Sequence, residues 1–362
     1  MAPRAQATVN LDAVRHNLQQ VRLRAPNSRV YAAVKADAYG HGAVAIAAAL
    51  CAADGLAVAS LDEALALREA GVRQPIALLS EPLDTAAIGE CVGHGFEPVI
   101  FESGQLERLR TPLTAALPIW VKLDTGMHRL GFPPQQAARI HAEVERLPHV
   151  RLAGWMTHLA CADDVDVPAT AAQLRRFESA LEGLPGARSI ANSAGICVWP
   201  ASHRDMVRPG IMLYGASPLL DRSAAELDLR PAMTLRAPLI SRSRVAAGEP
   251  VGYGATWRAQ EELPLGVIAI GYGDGYPRHA PSGTPVLLGG MRVPMVGRVS
   301  MDMITVDLRN APNAQIGDQA VLWGEGLPAD EIARQAGTIA YELFCRLSQR
   351  VRFQYKGSHG SS

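Results

Sequence analysis

Between Arg29 and Gly215 short apolar runs recur, each followed by a polar or glycine-rich break and, in most cases, by a stretch with helical spacing. The runs are Arg29–Val34, Gly55–Leu61, Pro75–Ser80, Phe96–Phe101, Ile119–Leu123, Leu152–Thr157, Arg188–Asn192 and Met206–Leu213. Continuous apolar stretches of this length predict strands buried on both faces. The intervals supply helices: Ala43–Cys51 is alanine-rich, Leu61–Gly71 has acids early and a glycine stop, and Thr170–Gly183 also ends on glycine. Eight strand–helix units in a row predict a TIM (β/α)8 barrel, with a doubly wound open sheet as the structural alternative.

After Leu229 helical spacing fades. Short strands punctuated by Gly, Pro and Asp take over: Leu235–Val245, Leu265–Ile270, Pro285–Leu288, Arg292–Val296, Met303–Asp307 and Gln319–Trp323. A helix over Ala329–Gly337 and a final strand over Arg350–Tyr355 close this mostly-β domain. The expected architecture is therefore α/β, with a barrel domain over 8–228 and a β domain over 229–356. The alternating segment Ala5–Asn10 precedes the first barrel helix and is open to pairing with the second domain, and 357–362 reads as a flexible tail.

Composition narrows the class. The chain has 362 residues, 35 basic against 35 acidic side chains, and no basic stripe, so no nucleic-acid partner is expected. The most apolar stretch, Ala43–Ala53, is shorter than the ~20 residues a membrane span needs, and the first residues carry no signal core. A cytoplasmic protein without a membrane partner is the expectation. The five cysteines, Cys51, Cys91, Cys161, Cys197 and Cys345, lack metal-ligand spacing and read as reduced thiols, mostly small core residues; no metal is expected.

In a TIM barrel the chemistry sits at the carboxyl ends of the strands. The first run ends in Lys35, followed by Tyr39; the fifth carries Lys122, with Arg129 close behind; the sixth ends in His158 and the seventh in Asn192-Ser193-Ala194-Gly195; the eighth carries Arg208-Pro209-Gly210-Ile211. A lysine alone at a strand end is more often a snorkelling side chain, and a lone His or Asn-Ser turn is more often structural. Five such coincidences at strand ends point instead to a site. Lys35 suits imine or acid–base chemistry. Ser193, Gly195, Gly210 and Ile211 suit a phosphate cradle after the seventh and eighth strands. A lysine and a phosphate cradle together suggest pyridoxal 5′-phosphate, with Arg208 beside its ring nitrogen.

The runs Ala33–Gly42, Lys122–Gly131, Met156–Ala160, Asn192–Gly195, Met206–Gly215, Val251–Thr256, Ile270–Tyr276 and Gly297–Leu308 resemble, in order, the motifs of the alanine racemase family. The resemblance implies that Lys35 holds pyridoxal phosphate as an internal aldimine and is the base on the D side. It implies that Tyr253 is the base on the L side, that Tyr39, Ser193, Gly210, Ile211 and Tyr341 bind the phosphate, and that Arg208 faces the pyridine nitrogen. His158 would hydrogen-bond toward Tyr253 and Arg208, Arg129 would contact cofactor and substrate carboxylate, and Met301 would contact substrate. Lys122 would be carbamylated and hold Arg129. Tyr253 and Met301 would come from the partner subunit of a homodimer. Tyr272, Arg278, Arg298, Ile339, Tyr341 and Asp163 would line the substrate corridor. The implied reaction is the interconversion of L- and D-alanine, supplying D-alanine for peptidoglycan or degrading it.

Three alternatives remain at this level. A related decarboxylase would place an acid, not Arg208, at the ring nitrogen. A cofactor carrier on the same barrel would lack the β domain and the second base. A broad-specificity amino-acid racemase would differ in substrate and not in reaction. The loop Gly271-Tyr272-Gly273-Asp274-Gly275 has the wrong spacing for a dinucleotide site, and no function attaches to His128.

Overall fold

The computed structural model describes residues 5–357, so the tail beyond Gly357 lies outside the described residues. Strand β1 (Gln6–Asn10) comes first, followed by a helix over Leu11–Arg24 that opens on an Asn10 cap. The eight apolar runs then form β2 (Arg29–Ala33), β3 (Gly55–Val58), β4 (Ile76–Leu78), β5 (Phe96–Ile100), β6 (Leu117–Lys122), β7 (Val150–Met156), β8 (Ala187–Ser189) and β9 (Met206–Val207). They pair in parallel, each with the next, and β9 pairs back onto β2 to close the barrel. Tyr31, Ala57, Ala77, Val99, Trp120, Met156 and Met206 pack together in its interior. Large rings fit because glycines face them: a Cβ on Gly55 would meet the Tyr31 ring at 2.7 Å, and one on Gly154 would meet Trp120 at 2.6 Å. The Tyr31 hydroxyl and the Trp120 indole N–H both donate to Glu97, so the polar tips of these rings are satisfied.

The last strand is shorter than the apolar run Met206–Leu213 suggests. It stops at Val207 because Pro209 has no N–H to donate and Gly210 turns away; Ile211–Tyr214 is a 3₁₀ turn.

The second domain comprises β10 (Met233–Val245), β11 (Pro250–Val251), β12 (Trp257–Arg258), β13 (Leu263–Ile268), β14 (Pro285–Leu288), β15 (Met291–Val296), β16 (Ile304–Asp307), β17 (Gln319–Trp323) and β18 (Arg352–Lys356). Its main sheet runs β13-β16-β15-β14-β17-β10-β1-β18, and an added β10–β13 pairing joins the first and sixth strands. The thirteen-residue β10 reaches both partners by bending at a register shift between Leu239 and Ser241. Strand β1 lies between β10, antiparallel, and β18, parallel, which ties the start of the chain into the second domain. Two helices, Ala329–Gln335 and Ala340–Cys345, return toward the barrel; the second is absent from the sequence reading. No described helix is long and apolar enough to cross a membrane.

Candidate active site

A cavity of about 580 Å³ opens at the carboxyl ends of the barrel strands. Lys35, Tyr39, Lys122, Arg129, His158, Ser193, Arg208, Gly210, Ile211 and Tyr341 all line it, so the structure gathers ten predicted residues from five strand ends and the Ala340–Cys345 helix. Leu79, Ser80, Asn192 and Cys345 also line it and were not assigned as site residues from sequence. Cys345 corrects the expectation for the cysteines: among the five, all free, only Cys91 is buried, while Cys51 and Cys345 are exposed.

Lys35 leaves β2 into an unusual turn. Ala36, Asp37, Ala38 and Tyr39 all adopt left-handed backbone angles, with φ of 53, 51, 53 and 54°. L-residues pay roughly 1–2 kcal/mol each for this conformation, so the turn needs external fixing. Two carboxylates supply it. Glu63 accepts the Ala36 N–H at 2.6 Å, and Asp37 accepts the Ala43 N–H at 2.7 Å. The turn brings Tyr39 round to stack on Tyr214, with ring centroids 4.8 Å apart, and Tyr39 also meets the Tyr341 ring at 5.8 Å.

Ser193 and Gly210 face each other across the β8 and β9 ends. The Ser193 hydroxyl accepts the Gly210 N–H at 2.8 Å. A side chain at Gly210 would meet the Tyr39 hydroxyl at 2.5 Å. Only glycine therefore leaves this wall open, and hydroxyls and backbone N–H groups converge there. That donor set fits an anion such as a phosphate monoester.

Arg208 is buried and hydrogen-bonded on its own strand ends. It donates to the Thr157 carbonyl at 2.5 Å, to the Ile190 carbonyl at 3.4 Å and to the Ser189 hydroxyl. Burial lowers its pKa to about 10, which still leaves it cationic at neutral pH. Around it the cavity carries Lys35, Lys122 and Arg129, and no Asp or Glu among the lining residues. Burial, then Arg129 and Arg208, lower the proton affinity of Lys35, while Glu63 raises it. Burial followed by Arg208, Arg129 and Lys35 brings Lys122 down to about 8. Burial and the same cations push His158 well below its usual range, so its ring is neutral. A pocket this rich in cations and lacking a carboxylate is built to receive anions.

Tyr253 and Met301 lie elsewhere. Tyr253 sits in a 3₁₀ turn between β11 and β12 and is 70% exposed; Met301 is 52% exposed. Neither lines the cavity of its own chain. Of the corridor residues, Asp163, Ile339 and Tyr341 line a second cavity of about 530 Å³ that shares Arg129, His158, Asn192 and Tyr341 with the first. Tyr272, Arg278 and Arg298 line neither. The glycine-rich loop 271–275 is a 3₁₀ turn fixed by the Asp274 carboxylate, which accepts the Gly271 N–H at 2.9 Å.

A closed parallel barrel with a cationic cavity at its strand ends, a wall after its last two strands that fits an anion, and a following β domain defines an α/β-barrel enzyme. Family models place the chain more closely: residues 9–218 match the alanine racemase N-terminal domain and 232–355 the alanine racemase C-terminal domain. It is 50% identical over 355 residues to an alanine racemase of Halorhodospira halophila, covering 97% of this chain and 98% of that one. It is 52% identical over 357 residues to that of Thioalkalivibrio sulfidiphilus, covering 98% and 99%. The crystal structure of biosynthetic alanine racemase from Pseudomonas aeruginosa superposes with a TM-score of 0.95 at 47% identity, covering 98% of this chain and all of that one. The chain belongs to the alanine racemase family, and it is a racemase.

Proposed function

We propose that this cavity holds pyridoxal 5′-phosphate on Lys35 and interconverts L- and D-alanine with two bases, one from each subunit of a homodimer. The observation that carries this reading is the convergence, in one cavity, of a lysine of lowered basicity, the Ser193–Gly210 cradle and a buried Arg208 with no carboxylate lining the walls. When bound, the cofactor supplies an electron sink for the charge left on the α-carbon.

The residues divide the remaining work. Ser193, Gly210, Ile211, Tyr39 and Tyr341 hold the phosphate. Arg208, which stays protonated, would face the ring nitrogen of the bound group and would favour leaving that nitrogen unprotonated. Arg129 pairs with the substrate carboxylate. Lys35 is the base on the D face, and burial, with Arg129 and Arg208 nearby, makes its amine give up a proton more readily than a free lysine. Racemisation needs a second acid–base group on the opposite face. Tyr253 is the candidate, delivered with Met301 by the partner subunit, and the exposure of both on their own chain supports this. His158, neutral in its cationic surroundings, orients Tyr253 and Arg208.

Lys122 is proposed as a carbamate. With its pKa near 8 a fraction of its amine is neutral, and a neutral amine adds carbon dioxide, releasing one proton. The product carries a negative charge into a wall that otherwise has none, next to Arg129. The Pseudomonas aeruginosa relative is a biosynthetic alanine racemase, which supports a biosynthetic over a catabolic role here.

Chiral chromatography of the cofactor-loaded protein incubated with L-alanine, L-serine, L-lysine and L-arginine tests the reading. Fast conversion of L-alanine to near-equal enantiomers, with the others slow, is expected. Comparable rates on the larger substrates would replace it with a broad-specificity racemase, and amine products with a decarboxylase.

A further inference from the structure

Gln173 sits on the helix Ala169–Ala180, which adds no side chain to the main cavity. It is almost fully buried, and every polar atom it carries is used. Its Nε2 donates to the His158 carbonyl at 2.9 Å and to the Thr125 hydroxyl at 3.3 Å; its Oε1 accepts the Ala160 N–H at 2.9 Å. Thr125 and Thr157 share a hydrogen bond between their hydroxyls at 2.8 Å, and the Thr157 hydroxyl donates to the Leu123 carbonyl at 2.8 Å. On the same helix Arg176 donates to the Thr125 carbonyl at 3.0 Å.

This network joins two loops. Residues 123–131 follow β6 and carry Arg129; residues 157–160 follow β7 and carry His158. Consecutive carbonyls at the end of β7 are held by different partners: Thr157 receives the Arg208 guanidinium, and His158 receives Gln173. Whatever holds one of these peptides constrains the other. A residue needed only for packing here could be Leu or Met. The amide instead meets one acceptor, one hydroxyl and one donor in a fixed geometry, which apolar side chains cannot do.

We propose that Gln173 is a positioning residue for racemisation: it sets the spacing between the Arg129 loop and the His158 loop, and through the Thr157 peptide it fixes Arg208. The proposal rests on the racemase reading of the cavity above.

The test uses the cofactor-loaded protein and the variants Gln173→Met, which keeps the volume and removes all three hydrogen bonds, and Thr125→Val, which removes only the shared hydroxyl. Both should stay folded with cofactor bound. We expect kcat to fall about 10- to 100-fold in Gln173→Met, less in Thr125→Val, with a displaced limb in the pH–rate profile. The circular dichroism of the bound cofactor should change as well, and it needs no turnover. The double variant should lose less than the product of the two single losses. A Gln173→Met protein with a lower unfolding temperature but unaltered kcat, pH profile and cofactor dichroism would make Gln173 a packing residue and overturn the proposal. If that variant does not fold, Thr125→Val with those three readouts unchanged overturns it equally. A wild-type protein that neither binds cofactor nor racemises would remove the underlying reading and the proposal with it, and the wild-type control identifies that case.

Discussion

Glu63 grips the peptide that follows Lys35: one carboxylate oxygen accepts the Ala36 N–H at 2.6 Å and the other the Ala59 N–H at 2.7 Å. The same residue closes the capping box that begins with Ser60. It thereby ties a helix start to the entrance of the left-handed turn, and its negative charge raises the proton affinity of Lys35 against burial and the neighbouring arginines. In Glu63→Gln the charge is gone and one N–H loses its acceptor. The variant should lose about 1–2 kcal/mol of stability, and the Lys35 amine should titrate at lower pH. Rates of Lys35 modification by an amine reagent across pH, measured on the cofactor-free protein, check this. An unchanged titration midpoint would show that Glu63 does not act on Lys35.

Gly40 allows the turn to pass under the helix Ala340–Cys345. Its φ is +73°, and a Cβ there would meet the Phe344 carbonyl oxygen at 2.2 Å. Gly71 is the internal control, with φ +90° and nothing within 4 Å of a Cβ. Gly71→Ala should cost the backbone strain alone, about 1–2 kcal/mol. Gly40→Ala should cost roughly 2 kcal/mol more from the clash, and it should displace Tyr341, which the same helix carries. Urea unfolding of the two variants gives the comparison; equal costs would mean that this helix is not pinned to the turn.

The eight barrel strands were legible because a strand buried on both faces needs an unbroken apolar run, and these runs stand between glycine-rich breaks. Lys35, Lys122, His158 and Ser193 were legible because each directly follows or lies close to the end of such a run, and Arg208 because it interrupts one just before Pro209. The left-handed turn was not: Ala36 and Ala38 carry no local preference for positive φ, and the conformation is imposed by Glu63 and by the packing of Phe344. Gln173 was invisible for a related reason, since a glutamine on an amphipathic helix usually faces water and only the fold buries it. Glu63 could have been found, because Ser60-x-x-Glu63 before an apolar run is a capping-box signature. The 3₁₀ turn after β9 was hidden inside an apolar run that Pro209 and Gly210 already marked for interruption.

His41 should make stability depend on pH. It is wholly buried between Tyr214 and Phe344, its Nδ1 meets the Tyr39 carbonyl at 2.9 Å, and burial lowers its pKa from 6.5 to about 4. The unfolded chain therefore binds a proton at a pH where the folded chain does not. The contribution is present above pH 6.5 and is lost as pH falls from there toward 4, to a total of roughly 3 kcal/mol. His41→Phe keeps the ring contacts and removes the titration. Chemical unfolding at pH 7 and pH 5 should show a smaller acid loss in the variant; an equal loss would assign the acid sensitivity to other groups.

Lys122 has the opposite use for its lowered pKa. At about 8, its amine is partly neutral at physiological pH, and carbamate formation should rise with pH and with dissolved carbon dioxide. Protein equilibrated with isotopically labelled bicarbonate should give a carbamate carbon resonance that is absent in Lys122→Ala, and that variant should bind substrate more weakly through a loosened Arg129. An uncharged or ammonium Lys122 in electron density at high bicarbonate would end the assignment.

Tyr253 supplies the sharpest test of a site shared between subunits. Tyr253→Phe keeps the ring and removes the proton, so the cofactor absorbance should persist while racemisation from L-alanine nearly vanishes. Lys35→Ala should be inactive as well. The two inactive proteins are then unfolded or dissociated together and allowed to re-associate. If each site joins Lys35 of one chain to Tyr253 of the partner subunit, every mixed dimer contains one intact site, and random pairing restores about a quarter of wild-type activity. If both residues served a site within one chain, no mixed dimer could work, and activity would stay at the level of the separate variants. Full activity in Tyr253→Phe alone would remove the tyrosine from the mechanism, and the exposed turn between β11 and β12 would need another explanation.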